Sequence, residues 1–124
     1  MSLESDLFDL LKGLVPTNAN GSRRVYPTVA PDGVVPPYIT FQQVGGAAPV
    51  FLERAVPSKR NARMQINVWS TTQVGANAIA LAIESTLVGA TSVQAKPESA
   101  FVATEDEVTK LLGTRQDFSI WADR

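Results

Sequence analysis

The stretch of sequence that decides the fold is Ala62-Arg63-Met64-Gln65-Ile66-Asn67-Val68-Trp69-Ser70. Its apolar residues Met64, Ile66 and Val68 alternate with polar ones. A period of two places successive side chains on opposite faces of a β-strand. The stretch therefore predicts a strand over residues 62–70, with one face in a core and the other face polar.

Two other segments carry the same signal. Residues 38–44 are rich in β-branched and aromatic side chains, and we expect Ile39 and Phe41 to face the core. Residues 114–121 alternate again, with Phe118 and Ile120 on the apolar side. Both segments are predicted to pair beside the strand at 62–70.

Weaker patterns indicate shorter strands. Residues 24–26 form a brief apolar piece in a connection rich in Pro and Gly, and residues 92–95 and 100–103 could each be a short strand. Residues 45–61 carry two Gly, two Pro and several charges, which predicts a long hairpin connection. Connections of that length are unusual unless they have a function.

Two segments have the periodicity of helices. Leucines recur from Leu3 at intervals of three and four and predict a helix over residues 3–13, capped by Ser2. Thr71 or Thr72 caps a second, alanine-rich helix that runs to about residue 87, is ended by Gly89 and can pack closely on a sheet. This helix carries two adjacent stripes: Val74, Ala78, Leu81 and Ser85 on one, and Ile79, Ile83 and Leu87 on the other.

These elements predict a single α+β domain over residues 1–124. We expect a small antiparallel or mixed sheet of four to five strands packed against two helices, in the order α-β-β-β-α-β-β. The composition, with 44% hydrophobic and 19% charged residues, is typical of one soluble globular domain. A chain of 124 residues has too few for a second core.

The composition excludes most kinds of catalytic and metal site. The chain contains no Cys and no His, so Ser-His-Asp and Cys-His catalysis, zinc fingers and His-based iron sites are impossible. Carboxylate catalysis needs paired acids in a pocket, whereas the acids here form surface-like clusters. We therefore expect no enzymatic activity, no cofactor and no metal.

Charge and hydropathy limit the classes of partner that the chain can bind. Eleven basic and 12 acidic residues give a net charge of −1, which provides no strong field for nucleic acid or an anionic membrane. The apolar run at residues 78–83 is far shorter than the roughly 20 residues that cross a bilayer. The acidic start of the chain is unlike a signal peptide, so a cytoplasmic origin is expected.

Basic and apolar residues cluster in and after the long connection. The cluster could bind a nucleic-acid backbone, or it could meet an acidic protein surface. We expect the second, and the candidate protein interface is Phe51, Leu52, Arg54, Lys59 and Arg60.

The densest charge cluster is Glu105-Asp106-Glu107. Three carboxylates could hold a hard cation, but consecutive side chains point in different directions and no calcium-loop spacing surrounds them. A solvated loop is the expectation.

A series of segments resembles the small tail completion proteins of long-tailed bacteriophages, over nearly the whole chain. After the leucine-rich first helix come Arg24-Val25-Tyr26-Pro27, Pro37-Tyr38-Ile39-Thr40-Phe41, Arg63-Met64-Gln65-Ile66-Asn67-Val68-Trp69, the alanine-rich helix and Gly113-Thr114-Arg115-Gln116-Asp117-Phe118-Ser119-Ile120-Trp121. The resemblance implies a structural protein of the virion that completes the tail or joins it to the head connector. It also implies that copies assemble as a ring, a hexamer, after synthesis in the host cytoplasm.

The resemblance further implies the partners and two surfaces. The partners are the chain itself, the tail tube protein and the head connector protein, while genome DNA only passes through. Because basic side chains would hold the DNA phosphates, we expect an acidic or neutral lumen, with Glu105, Asp106 and Glu107 as lumen or rim candidates. The connection at 45–61 is expected to contact a neighbouring copy or the tail tube.

Two other interpretations stay open. The chain could be another neck or minor tail subunit of similar fold, which tail length in a deletion would distinguish. It could instead be a small prophage-encoded protein-binding module, which would be absent from phage particles.

Overall fold

The computed structural model describes residues 2–50, 52 and 54–123. Across these residues the helices and strands are α1 (Leu3–Leu11), β1 (Val25–Pro27), β2 (Tyr38–Gly45), β3 (Lys59–Ser70), α2 (Gln73–Val88), β4 (Gln94–Pro97), β5 (Val102–Glu105) and β6 (Leu112–Asp123). A 3-10 turn, Lys12–Leu14, follows α1, which makes this helix shorter than the predicted 3–13.

All six strands join one mixed sheet. The central strand β3 pairs antiparallel with β6 along its whole length, from Lys59 opposite Asp123 to Ser70 opposite Leu112. On its other side β3 pairs antiparallel with β2, and β2 pairs parallel with β1. The short strands β4 and β5 lie one after the other along the outer edge of β6. The predicted α+β class is confirmed, and both candidate short segments form strands, which brings the sheet to six.

The strands occupy their predicted places with shifted ends. β3 starts at Lys59 rather than at residue 62, because residues 59–61 still pair with the last residues of β6. The connection between β2 and β3, called the β2–β3 loop below, therefore covers residues 46–58 and is shorter than the predicted 45–61. β4 and β5 each begin two residues later than predicted.

Side-chain caps define where the helices begin. The Ser2 hydroxyl accepts a hydrogen bond from the Ser5 N–H, and the Thr72 hydroxyl accepts one from the Gly75 N–H. Each bond satisfies an N–H group that has no partner within the first helical turn. Thr72, rather than Thr71, is thus the cap of α2, and Gly89 ends this helix as the sequence predicts.

The core lies between the helices and one face of the sheet. The predicted inward residues of β2 and β3 are all buried, and the alternation predicted for β3 is confirmed. The buried apolar cluster comprises Leu3, Leu7, Leu11, Val15, Val25, Ile39, Phe41, Ala62, Met64, Ile66, Val68, Ala76, Ile83, Leu87, Val93, Phe118, Ile120 and Ala122.

The other face of the sheet, called the open face below, is polar. The Asn61 amide nitrogen donates to the Ser119 hydroxyl at 3.0 Å, and the Arg63 Nε donates to the Asp117 carboxylate at 2.9 Å. Trp69 lies on the open face with Asn61 and Arg63, because residues two apart along a strand share a face. Cross-strand polar pairs of this kind stabilise a sheet without requiring a covering layer.

Candidate functional site

The predicted interface residues fall into two groups in the structure. Phe51 lies outside the described residues. Leu52 and Arg54 lie in the β2–β3 loop, where Leu52 is fully exposed and Arg54 has a left-handed backbone with φ of +63°. Arg54 makes no ion pair with any residue that the structure describes.

Lys59 and Arg60 do not belong to the loop. Both are the first residues of β3, and the Lys59 ammonium pairs with the Asp123 carboxylate on β6. The Arg60 guanidinium donates to the Gln43 side-chain oxygen at 2.6 Å and lies 3.9 Å from the Glu4 carboxylate. Lys59 and Arg60 therefore lie in β3 and not in the connection predicted over residues 45–61, and their side chains contact β6, Gln43 and Glu4.

The acidic residues lie around the turn between β5 and β6. Glu105 is the last residue of β5, and Asp106 and Glu107 follow it. One Asp106 carboxylate oxygen accepts a hydrogen bond from the Val108 N–H at 3.0 Å. That backbone bond, together with one from the Thr109 side chain, lowers the pKa of Asp106 below its ordinary value. Asp106 thus organises its own turn, while Glu105 and Glu107 remain exposed.

The structure keeps the two predicted clusters apart. Lys59 pairs with the end of β6, whereas Glu105 pairs with Leu112 at its start. The length of β6 separates these positions by roughly 35 Å at about 3.3 Å per residue. The two clusters therefore belong to opposite ends of the sheet.

A cleft of about 600 Å³ lies on the open face at the acidic end. Its floor is formed by Tyr38, Thr40, Asn67 and Trp69, and its walls come from residues 28–36 and from the turn at 106–111. Two carboxylates, those of Asp32 and Asp106, belong to the lining, which contains no Lys or Arg. We call this the open-face cleft.

Two aromatic rings shape the floor of the open-face cleft. Opposite Trp69, a Cβ on Gly113 would lie 2.8 Å from the indole ring, so only glycine lets that ring pack onto β6. Tyr38 contacts the Tyr26 ring edge to face, with centroids 6.4 Å apart. Burial, with a smaller contribution from the Asp106 charge, raises the pKa of Tyr38. The Tyr38 hydroxyl is therefore neutral at physiological pH.

A second surface lies on α2. The stripe of Val74, Ala78, Leu81, Ser85 and Val88 faces solvent, and Val74 and Leu81 are 80% and 56% exposed. The core instead receives the opposite stripe: Ala76, Ala80, Ile83 and Leu87. We call the solvent-facing stripe the outer stripe. The prediction that α2 packs on the sheet is confirmed, but Val74, Ala78, Leu81 and Ser85 are not the residues that do so.

The sequence held a signal for the outer stripe but none for the open-face cleft. Intervals of four and three along the outer stripe repeat like those of an interface helix. The cleft depends on how two connections fold over the sheet, and connections carry no periodic pattern. Within the described residues no three acidic side chains are grouped to hold a metal ion, and no helix is long and apolar enough to cross a membrane.

Comparison with known proteins identifies the family. The sequence profile of the family described as Tail completion protein gp17 matches residues 6–123, which includes every strand, all of α2 and the last two thirds of α1. No curated protein matches the sequence. Because the match covers far more than half of the chain, this protein belongs to the tail completion family of bacteriophages and is a structural component of the phage tail.

Proposed function

We propose that this chain is one subunit of a ring, a hexamer, that completes the tail or joins it to the head connector. Membership of the tail completion family supports a place at the end of the tail. The tail tube protein, the head connector protein and further copies of the chain are the proposed partners. The role is structural, with no enzymatic step.

The outer stripe of α2 carries the part of the proposal that concerns assembly. Glu84 is the single charged residue of this helix, and its carboxylate accepts a hydrogen bond from the Gln116 amide at 3.3 Å. A helix that is apolar on both sides is normally buried on both sides. Large exposed apolar patches on soluble domains mark interaction surfaces. We infer that the outer stripe is buried when the subunit enters the tail.

The β2–β3 loop is proposed as a second contact surface. Leu52 and Arg54 project from it, and Lys59 and Arg60 flank its base. A closed ring needs two different patches on each subunit, since the patch of one copy meets the other patch of the next. The loop and the outer stripe are two such separate patches.

The acidic turn is proposed to lie at the lumen or rim of the ring. Glu105 and Glu107 are exposed, and negative charge there avoids holding the DNA phosphates. Replacing both by Lys should slow DNA ejection and leave particle assembly intact. An unchanged rate of DNA ejection would show that these two residues do not line the lumen. Asp106 is left in place in this test because its carboxylate holds the turn.

The test of the main proposal is deletion of the coding sequence in the phage or prophage, followed by negative-stain electron microscopy of the lysate. Filled heads beside separate tails of normal length would support a role in joining the tail to the head. Overlong tails would place the protein in tail termination instead. Intact infectious particles would contradict both and favour a protein-binding module outside the virion.

Complementation with variants tests the outer stripe. Leu81→Glu should lower the yield of infectious particles at least about tenfold, because a charge in a buried contact costs several kcal/mol. The matched variant Leu81→Met keeps the apolar contact and should complement fully. Full complementation by Leu81→Glu would show that the outer stripe stays exposed in the tail.

A further inference from the structure

The floor of the open-face cleft contains a buried hydroxyl group that has no hydrogen-bond partner in the fold. Thr40 is only 6% exposed, and it follows the inward-facing Ile39 on β2, so its side chain faces the cleft. Its hydroxyl forms no hydrogen bond with any residue that the structure describes. Every fully buried side-chain nitrogen and oxygen in the same residues has a partner, so the Thr40 oxygen reaches the surface of the cleft. Polar groups at such depth normally have a partner, and here an incoming group can supply it.

Asn67 and Trp69 add two more unpaired polar groups to the floor. Asn67 lies beside Thr40, across β2 and β3. Neither the Asn67 amide nor the Trp69 indole N–H has a hydrogen-bond partner among the described residues. The Trp69 ring packs against Gly113 and also lines the cleft. The floor therefore offers acceptor oxygens, from Thr40 and Asn67, beside an aromatic ring.

The charged side chains that line the cleft are both acidic. They are Asp32 and Asp106, and neither carboxylate forms an ion pair with a residue that the structure describes. Basic side chains near the cleft lie outside its lining: Arg24 donates to the Asn18 side-chain oxygen at 3.0 Å, and Arg115 is exposed on β6. Charge interactions weaken with distance and with screening by salt. A group inside the cleft is therefore governed by the two carboxylates.

An arginine side chain has the chemistry that these groups require. Its guanidinium is a permanent cation with five N–H donors and no acceptor, so it can bond to the Thr40 and Asn67 oxygens and pair with a carboxylate at the same time. The same planar group stacks on aromatic rings such as that of Trp69. Val34 and Leu111 in the walls can cover its apolar stem. A lysine ammonium has fewer donors and does not stack as a plane, which makes arginine the better match.

We propose that the open-face cleft binds an arginine side chain projecting from another protein of the virion, with the guanidinium against Trp69 and paired with Asp32. The inference deepens the proposed function and rests on it for the source of the partner. The arginine of a second copy is the weaker candidate, because three of the chain's arginines, Arg24, Arg60 and Arg63, are already held by contacts within the domain.

A titration of the purified chain with N-acetylarginine amide tests the cleft directly. Trp69 lines the cleft, whereas Trp121 lies about 26 Å further along the sheet and does not. The indole N–H signal of Trp69 in the NMR spectrum should shift saturably, and that of Trp121 should stay in place. N-acetylcitrulline amide has the same shape without the charge, so it should bind at least about fivefold more weakly. No saturable shift of the Trp69 signal, or equal binding of the two probes, would overturn the inference.

Variants of the lining identify the groups that hold the probe. Asp32→Asn should weaken binding of N-acetylarginine amide about threefold, and the exposed Glu98→Gln, outside the cleft, should not change it. Thr40→Val removes the hydroxyl and should weaken binding by a similar factor. Its midpoint of thermal unfolding should not fall, because the hydroxyl has no partner within the described residues to lose. A fall in that midpoint with unchanged binding would show that Thr40 serves the fold instead, and would contradict the inference.

A photo-cross-link in assembled particles identifies the occupant. Val29 lines the cleft and is 74% exposed, so a chain with benzoylphenylalanine at this position should fold and reach the bound segment. Irradiation should link the chain to another virion protein through a peptide that contains arginine, and replacing that arginine by glutamine should weaken the link. A link to a second copy, a linked peptide without arginine, or no link in complete particles would overturn the inference. Particles that lack this protein would instead overturn the proposed function, whereas the titration does not depend on it.

Discussion

The two sides of α2 are almost equally apolar, yet only one is buried. Ile83 and Leu87 lie in the core at 2% and 0% exposure, whereas Leu81 and Val88 are 56% and 57% exposed. Hydrophobic burial stabilises the fold in proportion to the apolar area removed from water. The inner side of α2 therefore stabilises the fold of the monomer. The apolar area of the outer side is still exposed to water and can be buried by association with another subunit.

The two faces of the sheet differ in the same way: the face under the helices is buried, whereas the open face is polar and accessible. On the covered face, apolar side chains of β3 and β6 are buried by α2. On the open face, Arg63 pairs with Asp117 and the cleft remains accessible. Stability and recognition thus occupy different sides of the same strands.

The largest expected effect comes from truncating one leucine on each side of α2. Leu87→Ala should lower the free energy of unfolding by about 2–5 kcal/mol, because it leaves a cavity in the core. Leu81→Ala should change it by less than about 0.5 kcal/mol, because the side chain already faces water. Urea unfolding of both purified variants measures the difference. Equal losses would mean that both sides of α2 are packed in the monomer.

A buried polar contact between β6 and the inner side of α2 also contributes to stability. The Gln116 amide is buried and donates to the Ser99 carbonyl at 2.8 Å and to the Glu84 carboxylate at 3.3 Å. Gln116→Leu leaves both acceptors without this donor and should cost about 1–2 kcal/mol in the same unfolding experiment. Gln94→Leu is the control, since Gln94 is exposed on β4. If the two variants lose the same stability, the buried amide adds nothing specific.

The N-cap of α2 stabilises the first turn of the helix, which belongs to both the buried and the exposed side. Thr72→Ala removes the hydroxyl that accepts from the Gly75 N–H at 3.1 Å and should cost about 1 kcal/mol. Thr71→Ala, at the preceding exposed residue, should be nearly neutral. Faster hydrogen exchange in the first turn of the Thr72 variant alone would locate the effect. A similar change in both variants would argue against the hydroxyl as the cap.

Periodicity was enough to predict most of the fold. Alternation over residues 62–70 gave the faces of β3 correctly, and the pair Thr71-Thr72 and Gly89 located the ends of α2 to within one residue. The start of β3 was missed because Lys59 and Arg60 pair with residues of β6 that are distant in sequence. Pairing between distant segments has no local pattern, and charged residues at a strand end look like a loop.

The orientation of α2 and the open-face cleft were beyond sequence analysis for a different reason. Both stripes of α2 satisfy the helical period, so hydrophobicity alone does not say which one faces the sheet. The cleft arises because residues 28–36 and 106–111 lie over Tyr38 and Trp69, which share a face across β2 and β3.

The smallest expected effect lies at the acidic turn, away from both sides of α2. Hydrogen bonds lower the pKa of Asp106, so its carboxylate stabilises the folded state above the ordinary pKa of 3.8, and this contribution is lost as pH falls through the lowered value. Asp106→Asn removes the charge, so the pH dependence of unfolding below about pH 4 should become shallower.

The same substitution has a second readout at Tyr38. The Asp106 charge contributes to the raised pKa of Tyr38, but burial is the larger cause. In Asp106→Asn, the pKa of Tyr38 should therefore fall and still remain above 10.0, as measured by NMR of its ring signals. The neighbouring variant Glu107→Gln should leave it unchanged. An unaltered pKa of Tyr38 in Asp106→Asn would show that the Asp106 charge does not act on the open-face cleft. A fall of the Tyr38 pKa to 10.0 would mean that the Asp106 charge contributes more to the raised pKa than burial does.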